Sequence, residues 1–134
     1  DRYIKNQDIV FKYYVVLQPT SPLRKKQDLK NALKIFIKEK ADSLVSVSKS
    51  LEHPSDSIFL NKNFVKYFLK NSSNLRQSYK KSFFINGSIY IFNRALLKSK
   101  KIISNNRNSL YLMPKIRSID INDKEDLEIA KKLI

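Results

Sequence analysis

The 134-residue chain has no cysteine, one histidine and one glycine, and each scarcity closes off a class of chemistry. Without Cys there is no disulfide scaffold, no thiol nucleophile and no Cys-ligated zinc; with a single His there is no His-rich metal site. A cytoplasmic, reducing setting is compatible with this composition and is the expected compartment. The lone glycine leaves nothing like the Gly-rich loops whose backbone N–H groups approach a triphosphate. No apolar run reaches transmembrane length. The chain starts at Asp1 with no charged-then-apolar signal segment behind it, so it reads as a fragment whose N-terminal part is absent.

Acid is scarce as well: 12 Asp and Glu stand against 27 Lys and Arg, a formal net charge of +15. Clustered cations would point to a nucleic-acid backbone. Here they are scattered, as at Lys25-Lys26, Lys80-Lys81 and Lys131-Lys132, mostly at positions expected to face solvent. A solvated basic surface explains that pattern first, attraction to an anionic substrate second, and nucleic acid last. A hydrophobic fraction of 42% with 29% charged residues is ordinary for a folded domain, so disorder and membrane spans are both disfavoured. The length fits one domain, residues 1–134, able to bury roughly two thirds of its unfolded surface.

The run Tyr13-Tyr14-Val15-Val16-Leu17-Gln18, stopped by Pro19-Thr20-Ser21-Pro22, suits a strand buried on both faces. Over residues 28–40 the apolar positions Leu29, Ala32, Leu33, Phe36 and Ile37 recur at helical spacing. Ser43-Leu44-Val45-Ser46-Val47-Ser48 alternates, completing a strand–helix–strand unit whose default hand is right. The pattern loosens over residues 49–84, an excursion from the main sheet that opens with a turn at Pro54-Ser55-Asp56. Residues 87–92 form another strand, Asn93 can cap a short helix, residues 109–113 and 117–121 are two extended runs, and residues 123–134 end the chain as a helix. Alternating strands and helices predict an α/β fold with an open parallel sheet, whose ligands sit beyond the carboxyl ends of the strands. Gln18-Pro19-Thr20-Ser21 and Asp120-Ile121-Asn122-Asp123 are expected at such ends.

Leu17-Gln18-Pro19-Thr20-Ser21-Pro22-Leu23-Arg24 places an amide, two hydroxyls and a guanidinium on a proline-stiffened turn, suited to a polyhydroxylated or carboxylated ligand. On residue types alone, a plain strand-to-helix turn is an equal reading. The octapeptide, followed by Ala41-Asp42-Ser43-Leu44-Val45-Ser46-Val47, closely resembles the acylneuraminate cytidylyltransferases, or CMP-sialic acid synthetases. Two further blocks agree and keep the order: Arg76-Gln77 before Asn86-Gly87-Ser88-Ile89-Tyr90-Ile91, and Ser118-Ile119-Asp120-Ile121-Asn122 before Asp126-Leu127.

The resemblance covers the C-terminal part of that family's domain. It implies a partial three-layer, Rossmann-like nucleotidyltransferase fold, with the excursion at 49–84 serving dimerisation and a homodimer as the assembly. It also implies transfer of CMP from CTP to an acylneuraminate-type nine-carbon acidic sugar (sialic, legionaminic or pseudaminic), with release of pyrophosphate and help from Mg²⁺. By the same analogy Gln18 contacts the sugar, Asn86 and Tyr90 line its pocket, and Arg76 assists its carboxylate from a neighbouring subunit. Asp120 is the catalytic residue and holds the metal, with Asn122 as a second metal ligand through its carbonyl oxygen.

Plain structural readings stand next to these. Asn86 before Gly87 suits a turn, Tyr90 suits strand packing, and Arg76 suits a solvated surface. Asp120 is harder to set aside, because an acid between isoleucines needs a partner or an ion. Asn122 replaces the second carboxylate of the family's block, so it brings no charge to a metal; with Glu125 three residues on, it also suits a helix cap. The family's opening phosphate loop has no counterpart before Tyr3, and the isolated chain is expected to be inactive. A reading from another class is a non-enzymatic basic module for nucleic acid or anionic glycan, marked by a steep salt dependence of binding.

Overall fold

The computed structural model describes residues 11–69, 79–99, 103 and 107–134. In chain order they form β1 (Tyr13–Val16), α1 (Lys26–Lys38), β2 (Ser43–Lys49), a 3-10 turn (Pro54–Asp56), β3 (Ile58–Asn61), β4 (Phe64–Tyr67), β5 (Phe83–Asn93), α2 (Arg94–Lys98), β6 (Asn108–Leu112), a second 3-10 turn (Lys115–Arg117) and α3 (Lys124–Leu133). Among the described residues, no helix is long and apolar enough to cross a membrane.

The α/β class holds, but the sheet is not the parallel one expected. Its order is β1-β5-β2-β6, with β5 antiparallel to both neighbours and only β2 and β6 parallel. The strand–helix–strand unit is therefore split: β1 and β2 point the same way, with β5 inserted between them. The residues of β5 explain its central place, because Ile89 and Ile91 on one face and Phe92 on the other are all buried. Hydrophobic periodicity reports burial, not the direction of the neighbouring strand.

Helix α1 covers one face. Ala32 and Phe36 pack against Leu44, Ile89, Ile91, Tyr111 and Met113, with Leu29 and Leu33 at the margin. Burying a side chain the size of Phe36 contributes about 1.5–3 kcal/mol, and Tyr13 from β1 meets its ring edge-on at 5.2 Å. On the opposite face Tyr14 stacks on Phe92 at 5.9 Å. The helix begins two residues earlier than its apolar pattern suggests, because the Asp28 carboxylate turns back to accept the Lys25 N–H at 2.8 Å and so closes the first turn. It ends where Lys40 adopts φ 50, the left-handed conformation that commonly stops helices, and the Ala41 N–H returns to Phe36 O at 3.1 Å.

Two local expectations are corrected. Residues 117–121 form no strand: Pro114 leads into the 3-10 turn, and the chain then runs irregularly to α3. The cap of α3 is Asp123 rather than Asn122, its carboxylate accepting the Asp126 N–H at 2.8 Å, while Asp126 rather than Glu125 reaches back to the Asn122 N–H at 3.0 Å. Asn93 does cap α2, accepting the Leu96 N–H at 3.1 Å.

Within the excursion, β3 and β4 pair with each other alone among the described residues, and Leu60, Phe64 and Phe68 are exposed. Its neck is tied by the Ser50 N–H to Ser82 O at 3.1 Å and by His53. The His53 ring accepts the Ser55 N–H at Nδ1 (3.1 Å), donates from Nε2 to Lys80 O (2.8 Å) and stacks on Tyr79 at 4.5 Å. Those partners fix the orientation of its ring.

Candidate active site

Strand β5 buckles where it passes β2. Val45 pairs with Tyr90, but Val47 pairs with Ile85, so the four residues 86–89 lie opposite Ser46 alone. Such a bulge leaves main-chain groups without ladder partners, and side chains supply them. Ser46 Oγ accepts the Ile89 N–H at 2.7 Å and donates to Asn86 Oδ1 at 2.6 Å. Asn86 Oδ1 also accepts the Ser88 N–H at 3.2 Å, and Asn86 Nδ2 donates to Ser118 Oγ at 2.9 Å. Asn86 is 1% exposed and Ser46 fully buried, so this is an interior hub rather than a surface turn.

Gly87 makes the bend, with φ +72. A β-carbon there would fall on Oε1 of Gln18 and lie 3.1 Å from its Cδ. The side chain of Gln18, just past the carboxyl end of β1, thus rests on the bulge. Gly87→Ala is expected to cost about 1–2 kcal/mol for the left-handed conformation and to push the flexible Gln18 side chain away. Urea denaturation would read the first effect, and Gly87→Asn, which tolerates positive φ better, should recover part of it; unchanged stability in the alanine variant would contradict this account.

The turn after Gln18 is fixed from outside. Arg24 Nη1 donates to Ser88 O at 2.7 Å, and the Ile121 N–H donates to Thr20 O at 2.9 Å. The motifs around Gln18, Ser46, Asn86 and Asp120 therefore meet in one place. Beside them opens a cleft of about 540 Å³, with Ser118, Ile119 and Asp120 on one wall, Leu51, Phe83 and Phe84 among its apolar lining, and the cations Lys49 and Lys115. Asp120 Oδ1 is buried and has no hydrogen-bond partner among the described residues. A buried carboxylate oxygen in that condition is a ligand site or a cost.

No protein-family model matches the chain. It is 32% identical over 133 residues to the CMP-N,N'-diacetyllegionaminic acid synthase of Legionella pneumophila, a match covering 97% of this chain and 57% of that protein. It is 30% identical over 117 residues to the N-acylneuraminate cytidylyltransferase of Streptococcus agalactiae, covering 84% of this chain and 28% of that enzyme. It is also 26% identical over 136 residues to post-translational flagellin modification protein B of Campylobacter coli. The chain is a homologue of the acylneuraminate cytidylyltransferases. It spans from about a quarter to just over half the length of these relatives.

The positions that the cytidylyltransferase resemblance singles out are not equally placed. Gln18, Asn86 and Asp120 belong to the joined loops. Asn122 is exposed, and its Nδ2 donates to Asp120 O at 3.2 Å, so it braces the main chain of the acid. Tyr90 is half-buried, cross-strand from Val16 and Val45, on the sheet face away from α1 and outside the cleft lining. Arg76 lies outside the described residues. Among the described residues, no group of three or more His, Cys, Asp or Glu is arranged to hold a metal ion.

The residues that motif reading missed are Asp28, Tyr111 and Arg117. Asp28 is 0% exposed, yet it receives Arg117 Nη2 at 2.7 Å, Arg117 Nε at 3.1 Å and the Tyr111 hydroxyl at 2.9 Å, besides the Lys25 N–H. Burial pushes its carboxyl up, but the bonds from Arg117, Lys25 and Tyr111 and the Arg117 charge outweigh it and hold the group below its ordinary range. Tyr111 is pushed up by burial and by Asp28, against a lowering bond from Asn31. The only local signal was an acid in the first turn of a helix, which reads as a cap.

Proposed function

We propose that the protein, in its full reading frame, transfers CMP from CTP to a nine-carbon acidic sugar of the sialic, legionaminic or pseudaminic class, releasing pyrophosphate. The observation that carries this reading is the buried, unpartnered Oδ1 of Asp120, a residue on the wall of a cleft that opens beside the joined motifs. Homologues named as cytidylyltransferases and CMP-acid-sugar synthases supply the reaction class.

In this reaction the anomeric hydroxyl oxygen of the sugar bonds to the α-phosphorus of CTP, the bond from that phosphorus to the α–β bridging oxygen breaks, pyrophosphate leaves with the bridging oxygen, and the hydroxyl proton passes to solvent. Gln18 contacts the sugar, while Tyr90, mid-strand and outside the cleft lining, keeps a packing role in the sheet. Asn86, whose carboxamide is committed to Ser46, Ser88 and Ser118, shapes that pocket from behind. Arg76 meets the sugar carboxylate from a second subunit, and the exposed apolar side chains of the β3–β4 hairpin form the surface on which that subunit sits. Both substrates are anions, in keeping with the net charge of +15.

Mg²⁺ is commonly held by one or two carboxylates together with substrate phosphates, so a single orphaned carboxylate oxygen is a fitting protein contribution. Asp120 would hold the ion through Oδ1, with Asn122 bracing the Asp120 main chain. When bound, the ion neutralises charge on the nucleotide phosphates.

Pyrophosphate release from CTP with a panel of nine-carbon acidic sugars tests the reading, using this chain alone and the full reading frame. The expected result is activity with at least one sugar in the full frame and none in the isolated chain. Asp120→Asn in the active form should lower kcat about 10²–10³-fold with the fold retained. A folded full-frame protein that turns over no sugar, or an Asp120→Asn variant with normal kcat, removes this proposal.

A further inference from the structure

Asp120 is held by its neighbours, not by its own carboxylate. Residues 118–122 belong to no strand, so the sheet does not fix them. Beside local bonds from Ser118 to Pro114 O and from Asn122 to Asp126 and Asp120 O, three contacts tie the segment to distant parts of the chain: Arg117 to Asp28, Ser118 to Asn86, and the Ile121 N–H to Thr20 O. The first differs in kind. It is a two-pronged ionic fork, which fixes orientation as well as distance. Its anchor Asp28 is fully buried in the first turn of α1 and is bonded from the helix's N-cap Lys25, from β6 and from the 3-10 turn.

We propose that Asp28 and Arg117 are positioning residues that aim the Asp120 carboxylate into the cleft. The proposal rests on the reading of Asp120 as the working acid. A buried ion pair is poor evidence for stabilisation, because desolvation consumes most of its attraction. Its geometric effect is direct: Arg117 lies three residues before Asp120, and a rigid support of this kind is what keeps a free carboxylate oxygen from turning to a protein donor. The pair touches neither the cleft nor any residue assigned to sugar or nucleotide.

The test uses Arg117→Gln and the more conservative Arg117→Lys in the full reading frame. Arg117→Gln is expected to lower kcat about 10–100-fold, the usual effect of removing a support behind a functional group. KM for CTP should change far less, and Arg117→Lys should restore part of kcat. Hydrogen exchange at the Ile121 amide should accelerate in the glutamine variant more than exchange in β2 and β5, and Mn²⁺ retention in the presence of CTP, read by EPR, should fall. Normal kcat, or Ile121 exchange that rises only in step with the sheet, overturns the proposal. If Arg117→Gln does not fold, Arg117→Lys carries the same criteria. If the unmodified protein turns over no sugar, the cytidylyltransferase reading fails by itself, and Ile121 exchange still decides for or against Arg117 as the support.

Discussion

Asp28→Ala is expected to destabilise the fold by about 3–5 kcal/mol, the range for breaking a buried ion pair from one side. The substitution leaves three donors without an acceptor: Arg117, the Tyr111 hydroxyl and the Lys25 N–H. Arg117 keeps some access to water, with 26% of its side chain exposed, which favours the lower end of the range. A loss of about 3 kcal/mol corresponds to a fall in Tm on the order of 10 °C for a domain of this size. The pH dependence gives a sharper signature. The Asp28 carboxyl is depressed in the folded state below its ordinary value of 3.8, so its contribution is fully present above that value and is lost as pH falls through the lower, folded one. Tyr111 is raised above 10.0, so its contribution is present below pH 10.0 and is lost as pH rises through its folded value. Urea denaturation from acid to alkali should therefore show the stabilities of wild type and Asp28→Ala converging at low pH. Curves that stay parallel below pH 3.8 would mean that Asp28 does not carry this energy.

That network also marks the limit of what the sequence discloses. Helix α1 was legible because its stripe of Leu29, Ala32, Leu33 and Phe36 is a local pattern, and its partner surface needs only to be apolar. Gln18, Asn86 and Asp120 were legible through the order of the motifs that contain them. The Asp28–Arg117 pair was not, since 89 residues separate the two and neither stands in a recurring pattern. The direction of β5 was hidden for a related reason: its alternating Ile89, Tyr90 and Ile91 would look the same in a parallel sheet. Gly87 was visible as a bend after Asn86, but the bend lies inside an eleven-residue strand, and the polar residue that makes this possible is Ser46, forty residues earlier. The one-residue displacement of the α3 cap from Asn122 to Asp123 is of a lesser kind, because adjacent Asn and Asp are nearly equivalent caps and side-chain geometry alone decides between them.

The second large effect is expected from Asn86→Leu, which keeps the approximate shape and removes every polar atom of the hub. Ser46 Oγ loses its acceptor, the Ser88 N–H loses its partner inside the bulge, and Ser118 Oγ loses the donor that ties it to β5. Each buried group left unpaired costs about 1–3 kcal/mol. The Ser118 hydroxyl is only part-buried and still donates to Pro114 O at 3.0 Å, so the sum should lie near 2–4 kcal/mol. The hub and the Asp28–Arg117 fork hold adjacent residues, Ser118 and Arg117, of one irregular segment. Once either is gone, the segment is already loosened and the other has less left to hold. The double variant Asn86→Leu with Asp28→Ala should therefore lose less stability than the sum of the singles, with a coupling of about 0.5–3 kcal/mol measured by a double-mutant cycle. Simple additivity would mean that the two anchors act on separate parts of the fold. Coupling of the expected sign would identify residues 117–121 as one mechanical unit, with Asp120 inside it.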